Sequence, residues 1–242
     1  VRLAEFGAFV NLALGIDGDG VQEILVAAHY RIIIFEGTTG RKETELQYHT
    51  GRPYGWFGLV DVDLDGQLEL ITIGDYQSHI DVLRYDPSKP EPQRLIVKWR
   101  RDLETHIEER KKWPQIGPHP LANVTGDPRP EIVLNMFNDT GDEQWHTVVL
   151  DANTGDTLCD IPKRYLQGVA DVDGDGVAEL FVATAEGNFA PTFAAIELVH
   201  IHERQPQVVW SAPHAAWMTN DVPGPGPTWS ASVARCSGTR TG

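Results

Sequence analysis

Residues 170–182 read "ADVDGDGVAELFV": aspartates at 171, 173 and 175, a glycine at 176, a glutamate at 179, and then apolar residues. Acids set directly against residues that must be buried demand an explanation, because charge is costly to remove from water without a partner. The stretch is one of four. Aligned on its glutamate it matches "GIDGDGVQEILV" (15–26), "DVDLDGQLELIT" (61–72) and "NVTGDPRPEIVL" (123–134), so that Glu23, Glu69, Glu131 and Glu179 share one register. A register shared in four places is an internal repeat, and a repeat decides the fold class before any single segment does.

Further signals recur downstream of each acidic segment. "IIIFEGTTGRK" (32–42) matches "VVLDANTGDTL" (148–158), each an apolar run ending in an acid and a Thr-Gly turn; "DVLRYDPSKP" (81–90) holds that place in the second unit, with Asp86 and Pro87 as the turn. "LIVKW" (95–99) and "QVVW" (207–210) are matching strands that end in Trp99 and Trp210, and "YGWFGLVDVD" repeats as "YLQGVADVD" on the approach to the acidic loop. The runs are short, rich in Val, Ile, Leu and Phe, and bounded by Gly, Asp, Asn and Pro. About four strands per unit at a period near 50 residues is the pattern of propeller blades. The expected fold is all-β: a β-propeller, or part of one, with about four visible four-stranded blades over residues 1–215. The charged segment 100–120, "RRDLETHIEERKKWPQIGPHP", is expected to be an insertion on a rim loop, with Leu103 and Ile107 at helical spacing. Residues 216–242, rich in Gly, Pro, Ser and Thr, are expected to be a linker or disordered tail.

Alternate acids followed by a turn glycine curl oxygen atoms around one point, which is what a hard cation requires. In the fourth loop Asp171, Asp173, Asp175 and Glu179 occupy positions 1, 3, 5 and 9, and Gly176 lets the Val177 carbonyl at position 7 turn inward. In the second loop the set is Asp61, Asp63, Asp65, Gln67 through its carbonyl, and Glu69. The first has Gly15 at position 1, leaving Asp17, Asp19, the Val21 carbonyl and Glu23; the third has Asn123, Thr125, Asp127 and Glu131, with Pro128 in place of the glycine. The expected order of affinity is second and fourth, then first, then third: about two strong sites and one or two weaker ones. Calcium suits such a site better than magnesium, which keeps its water and a rigid octahedron. An EF-hand needs a flanking helix and an acid at position 12, whereas Val182 and Thr72 stand there, in strands. The plain alternative is that the Asp-Gly pairs only make hairpin turns. A turn accounts for one Asp and the Gly, but not for acids at four spaced positions that repel one another without a cation.

With these loops the chain resembles the FG-GAP/VCBS repeats of integrin-alpha-type β-propellers, whose blades carry Asp-x-Asp-x-Asp-Gly-x-x-Asp/Glu calcium loops. The resemblance covers roughly residues 10–212 and is most specific at the second and fourth loops. It implies mainly structural ions on hairpin loops at one face of a propeller. It also implies a parent with more blades than the four seen here, since seven or eight are usual in that family. Related calcium propellers include polysaccharide lyases acting on rhamnogalacturonan, in which a cation neutralises the uronate and a base removes a proton.

A formal charge of −15 argues against a nucleic-acid or anionic-membrane partner, since either would need clustered Lys and Arg. No apolar run approaches a membrane span, so no membrane insertion is expected. Cys159 and Cys236 make no disulfide framework or metal spacing, and a start at Val1 suggests a processed or partial chain. Trp99 and Trp210 are expected to pack between blades. Trp56, Trp113 and Trp145 lie nearer turns, where they could stack on sugar rings, and His200 and His202 alternate on one strand face, as a zinc pair or an exposed face would. "NVT" and "NDT" match N-glycosylation acceptors. No nucleophile, phosphate-loop or His-Glu-x-x-His motif is present, and no catalytic residue is nominated. The expected function is therefore a non-catalytic calcium-binding module that is extracellular, on the cell surface or periplasmic, with a protein or polysaccharide ligand. The alternative is part of a calcium-dependent polysaccharide lyase.

Overall fold

The computed structural model describes residues 9–28, 30–47, 53–74, 79–102, 121–138, 141–186 and 192–213, and every regular element among them is a β-strand. Four antiparallel four-stranded sheets follow one another along the chain, each a simple meander. The first sheet holds β1 (Phe9–Leu14), β2 (Glu23–Ala28), β3 (Arg31–Glu36) and β4 (Lys42–Gln47); the second holds β5 (Pro53–Val60), β6 (Glu69–Gly74), β7 (His79–Tyr85) and β8 (Leu95–Asp102). The third holds β9 (Leu121–Ala122), β10 (Glu131–Phe137), β11 (Trp145–Asp151) and β12 (Thr157–Pro162), and the fourth β13 (Arg164–Ala170), β14 (Glu179–Glu186), β15 (Thr192–His202) and β16 (Gln205–Pro213). Each acidic segment is the loop between the first two strands of its sheet, and its glutamate is the first residue of the second strand.

The sheets stack face to face in chain order. Residues alternating along a strand point to opposite neighbours, as the two-residue period requires. Leu70, Leu83 and Leu95 of the second sheet pack on Leu25, Ile32 and Ile34 of the first. Ile71, Ile80 and Val82 point the other way, onto Ile132, Leu134 and Val148 of the third. Val133, Val149 and Ile161 in turn meet Leu180, Val182 and Val199 of the fourth. Sheets covered on both faces need nearly continuous apolar strands, which is why β10 reads "EIVLNMF". Four such sheets in sequence are compatible with a propeller-like arrangement, and no sheet closes on itself.

The repeat extends to irregularities that the sequence does not display. Where the fourth strand pairs with the third, each sheet carries a bulge at the same register point, leaving one residue unpaired. That residue is Glu43 in the first sheet, Lys98 in the second, Leu158 in the third and Val209 in the fourth. The residues just after them, Thr44, Trp99, Cys159 and Trp210, are equivalent in pairing, so the two tryptophans match in register as expected.

The first three residues of the expected insertion are strand. Arg100, Arg101 and Asp102 belong to β8, because their polar groups are used: Arg100 grips the buried Asp81 (2.6 and 2.7 Å) and Arg101 donates to the Gly155 carbonyl (2.6 Å). The rest of that segment, Trp113 within it, and the expected tail at 216–242 lie outside the described residues, as does the side chain of Trp56. Trp145 is not at the surface. Although it follows a turn, it is 2 % exposed and packs on Phe137 and, edge-on, Tyr165, with ring centroids 5.5 and 5.0 Å apart. It is a core residue and has no free face for a sugar.

Candidate metal centres

One buried carboxylate organises each acidic loop. Glu23, Glu69, Glu131 and Glu179 are all buried at the start of a strand. In every copy Oε2 accepts a hydrogen bond from the amide of the residue at position 2: Ile16 (2.8 Å), Val62 (3.0 Å), Val124 (2.7 Å) and Val172 (3.0 Å). This tie fixes the carboxylate and leaves Oε1 to face the loop. The position 5 acids serve the turn itself: Asp19, Asp65, Asp127 and Asp175 each accept from the amide two residues on, at Val21, Gln67, Arg129 and Val177. They are held as turn acceptors, as short acidic side chains commonly are. The position 1 acids Asp61 and Asp171 do the same with both oxygens, each accepting from the turn glycine, Gly66 at 2.8 Å and Gly176 at 3.0 Å, and from one further amide.

Carboxylate oxygens converge in three of the four loops. Asp61, Asp63 and Glu69, and likewise Asp171, Asp173 and Glu179, bring ligand atoms within 4.8 Å of one another; in the first loop the converging set is Asp17, Glu23 and Glu43. Such clusters of acids could hold a metal ion. Positions 1, 3 and 9 of the expected ligand set are thus brought together in the second and fourth loops, whereas Asp19, Asp65 and Asp175 are outside these clusters. The third loop, with Asn123 and Thr125 at positions 1 and 3, has only two acids, Asp127 and Glu131, and so cannot gather three carboxylates of its own. There the Thr125 hydroxyl donates to Glu131 Oε1 (2.7 Å) and Arg129 pairs with Asp127 (3.3 Å), so that loop is satisfied by its own chain.

What faces Oε1 of the glutamate differs from loop to loop. In the second it is the ammonium of Lys98 (3.5 Å), which also binds Asp63; in the fourth it is Nδ1 of His200 (3.3 Å). In the first no donor reaches Glu23 Oε1 among the described residues, and another acid, Glu43, lies beside it. Burial pushes the carboxyls of Glu23, Glu43, Glu69 and Glu131 above the usual range, and the neighbouring Asp17 charge pushes Glu43 further. The hydrogen bond from Lys98 instead holds Asp63 low.

His200 and His202 do not form a zinc pair: His200 turns to Glu179, His202 is exposed, and no metal-like group of described residues contains them. The sequence reading missed Glu43 and Lys98 because they belong to the fourth strand, far along the chain from their loops. The bulge that aligns them becomes visible only once the strands are paired. It also missed a second backbone requirement. Position 4 has positive φ in all four loops, at Gly18 (77°), Leu64 (62°), Gly126 (84°) and Gly174 (82°), so the glycines there were a legible signal. Compared with known proteins, the chain matches no family model and no curated sequence.

Proposed function

We propose that the chain is a calcium-binding, β-propeller-type module of the FG-GAP/VCBS kind. On this reading it is non-catalytic, works in an extracellular or surface setting, and binds a protein or polysaccharide ligand as part of an assembly with further blades. The observation that carries the reading is the tethered glutamate. One oxygen is fixed to the backbone in all four loops, and in three of them the same carboxylate belongs to a knot of acids whose ligand atoms lie within 4.8 Å of one another. Three acids at that separation repel strongly, and a divalent cation is the economical remedy. Extracellular calcium is abundant enough to fill even modest sites. Lys98, the basic side chain beside the second loop, is bound to two carboxylates instead of standing free to take a proton, which favours binding over lyase chemistry. Calorimetric titration of the full chain with calcium, and separately with magnesium, tests the proposal. Heat of calcium binding and a rise in melting temperature that chelator reverses are expected. Absence of both refutes it.

A further inference from the structure

The bulge residue of the fourth strand lies against the loop acids in the first two sheets, Glu43 in one and Lys98 in the other, whereas Leu158 and Val209 hold that position in the third and fourth. In the first sheet it is Glu43, whose side chain is only 5 % exposed. Its Oε1 accepts from Arg41 (3.2 Å), a half-exposed guanidinium shared with Glu36 and Glu91. Its Oε2 is buried and has no hydrogen-bond partner. A buried carboxylate oxygen left without a donor is rare and costly, and here it belongs to a side chain that clusters with Asp17 and Glu23. The first loop is also the one whose position 1 is glycine, Gly15, so it lacks an acid that the second and fourth possess. In the second sheet the same bulge position is Lys98, and its ammonium lies against Asp63 and Glu69.

We propose that Glu43 is a ligand of a hard divalent cation held with Asp17 and Glu23, replacing the acid that Gly15 cannot supply, and that Lys98 is a tethered cation occupying the second loop. In these two sheets the bulge residue thus sets which positive charge the loop holds. The first and fourth loops are then the divalent sites; in the second the ammonium takes the place of the ion and offsets part of the charge of the three clustered acids, with Asp63 Oδ1 still unpartnered. The inference rests on the calcium-loop reading above and overturns the order of affinity expected from the loops alone.

Calcium titrations of the full chain by calorimetry, with melting curves in chelator and in calcium, test it against a reference variant, Asp171→Asn with Asp173→Asn, that disables the fourth loop. The parent chain should show two tight sites and the reference one. Glu43→Gln should weaken one site about tenfold or more, as loss of a metal-organising group does. Glu43→Lys should remove that site while raising the melting temperature in chelator, because an ammonium then neutralises Asp17 and Glu23. Lys98→Met should add a tight site. If both Glu43 variants bind like the parent while the reference variant loses a site, the role of Glu43 is overturned and the calcium-loop reading stands. If Lys98→Met leaves the number of sites unchanged, the tethered cation is overturned, whether or not the Glu43 variants fold. If the parent binds no calcium, both readings fall together.

Discussion

Two glycines in equivalent turns give a matched test of how the sheets hold together. Gly40 closes the turn after β3 and Gly155 the turn after β11; each donates its amide to the backbone carbonyl four residues back, that of Glu36 or Asp151, at 2.8 Å. Both have left-handed φ, +67° and +78°, so an alanine at either position costs about 1 kcal/mol for the backbone alone. Their surroundings differ. A Cβ on Gly40 would have nothing within 4 Å, whereas one on Gly155 would lie 3.0 Å from two ring carbons of Trp99 in the second sheet. Trp99 cannot easily withdraw, since its Nε1 donates to the Ala152 carbonyl at 3.0 Å. Overpacking against a held ring adds about 1–3 kcal/mol. At about 2–4 °C per kcal/mol for a chain of this size, Gly40→Ala should lower the melting temperature by about 2–4 °C and Gly155→Ala by about 4–16 °C. In a Trp99→Ala background the cost of Gly155→Ala should fall to that of Gly40→Ala. Thermal melts of the parent and the four variants decide the matter. Equal shifts for the two glycines in the parent, or a difference that survives removal of Trp99, would refute this account of the interface.

Other perturbations have defined signs. His146 is buried between Asp160, 2.6 Å from Nδ1, and Asp142, 3.1 Å from Nε2; the Asp160 hydrogen bond raises its pKa above the ordinary value. Its stabilising contribution is therefore complete below the unfolded pKa and is lost as pH rises through the folded one, so His146→Gln should destabilise more at about pH 5.5 than at about pH 9 in urea unfolding. Arg100→Met leaves Asp81, 0 % exposed, with only His79 nearby (3.5 Å). Burial alone would raise the Asp81 carboxyl, but Arg100 and His79 hold it below the usual range. Loss of Arg100 should cost about 2–3 kcal/mol in the same assay, less than for a fully enclosed pair because Arg100 is one third exposed; an unchanged midpoint would count against that pairing. Leu64 is exposed with φ of 62° where the other three loops have glycine, so Leu64→Gly should stabilise by about 0.5–1 kcal/mol, and a lowered melting temperature would contradict the strain assigned there.

The order of strands was legible because the four glutamates and the acid-turn signals after each third strand recur in one register. That register is backbone pairing in disguise: the glutamate is always the residue where the second strand begins. The irregular parts were not legible, for local reasons. Arg100 and Arg101 look like part of a solvated charged run until Asp81 and the Gly155 turn are seen to bind them. Trp145 follows turn residues in the sequence, yet Phe137 and Tyr165, from a neighbouring strand and the next sheet, enclose it. At the loops, spacing identified the acids at positions 1, 3 and 9. It could not show that the position 5 acids stand outside the clusters, nor that Glu43 and Lys98, from the outer strands of the first two sheets, lie against them.

Equivalent residues of the fourth strands meet the third turn of the next sheet. Thr44 bonds Pro92 and Leu95 of the second sheet, and Trp99 bonds Ala152 of the third. Trp210 holds the same place in β16, a strand exposed along its whole length, with Phe181 of its own sheet beside it. The last sheet thus offers outward the same side that the second offers to the third. A chain built this way can be lengthened by copying one coding segment, because the junction a new sheet requires already exists within the molecule. Its two ends are not interchangeable, so such growth has a direction.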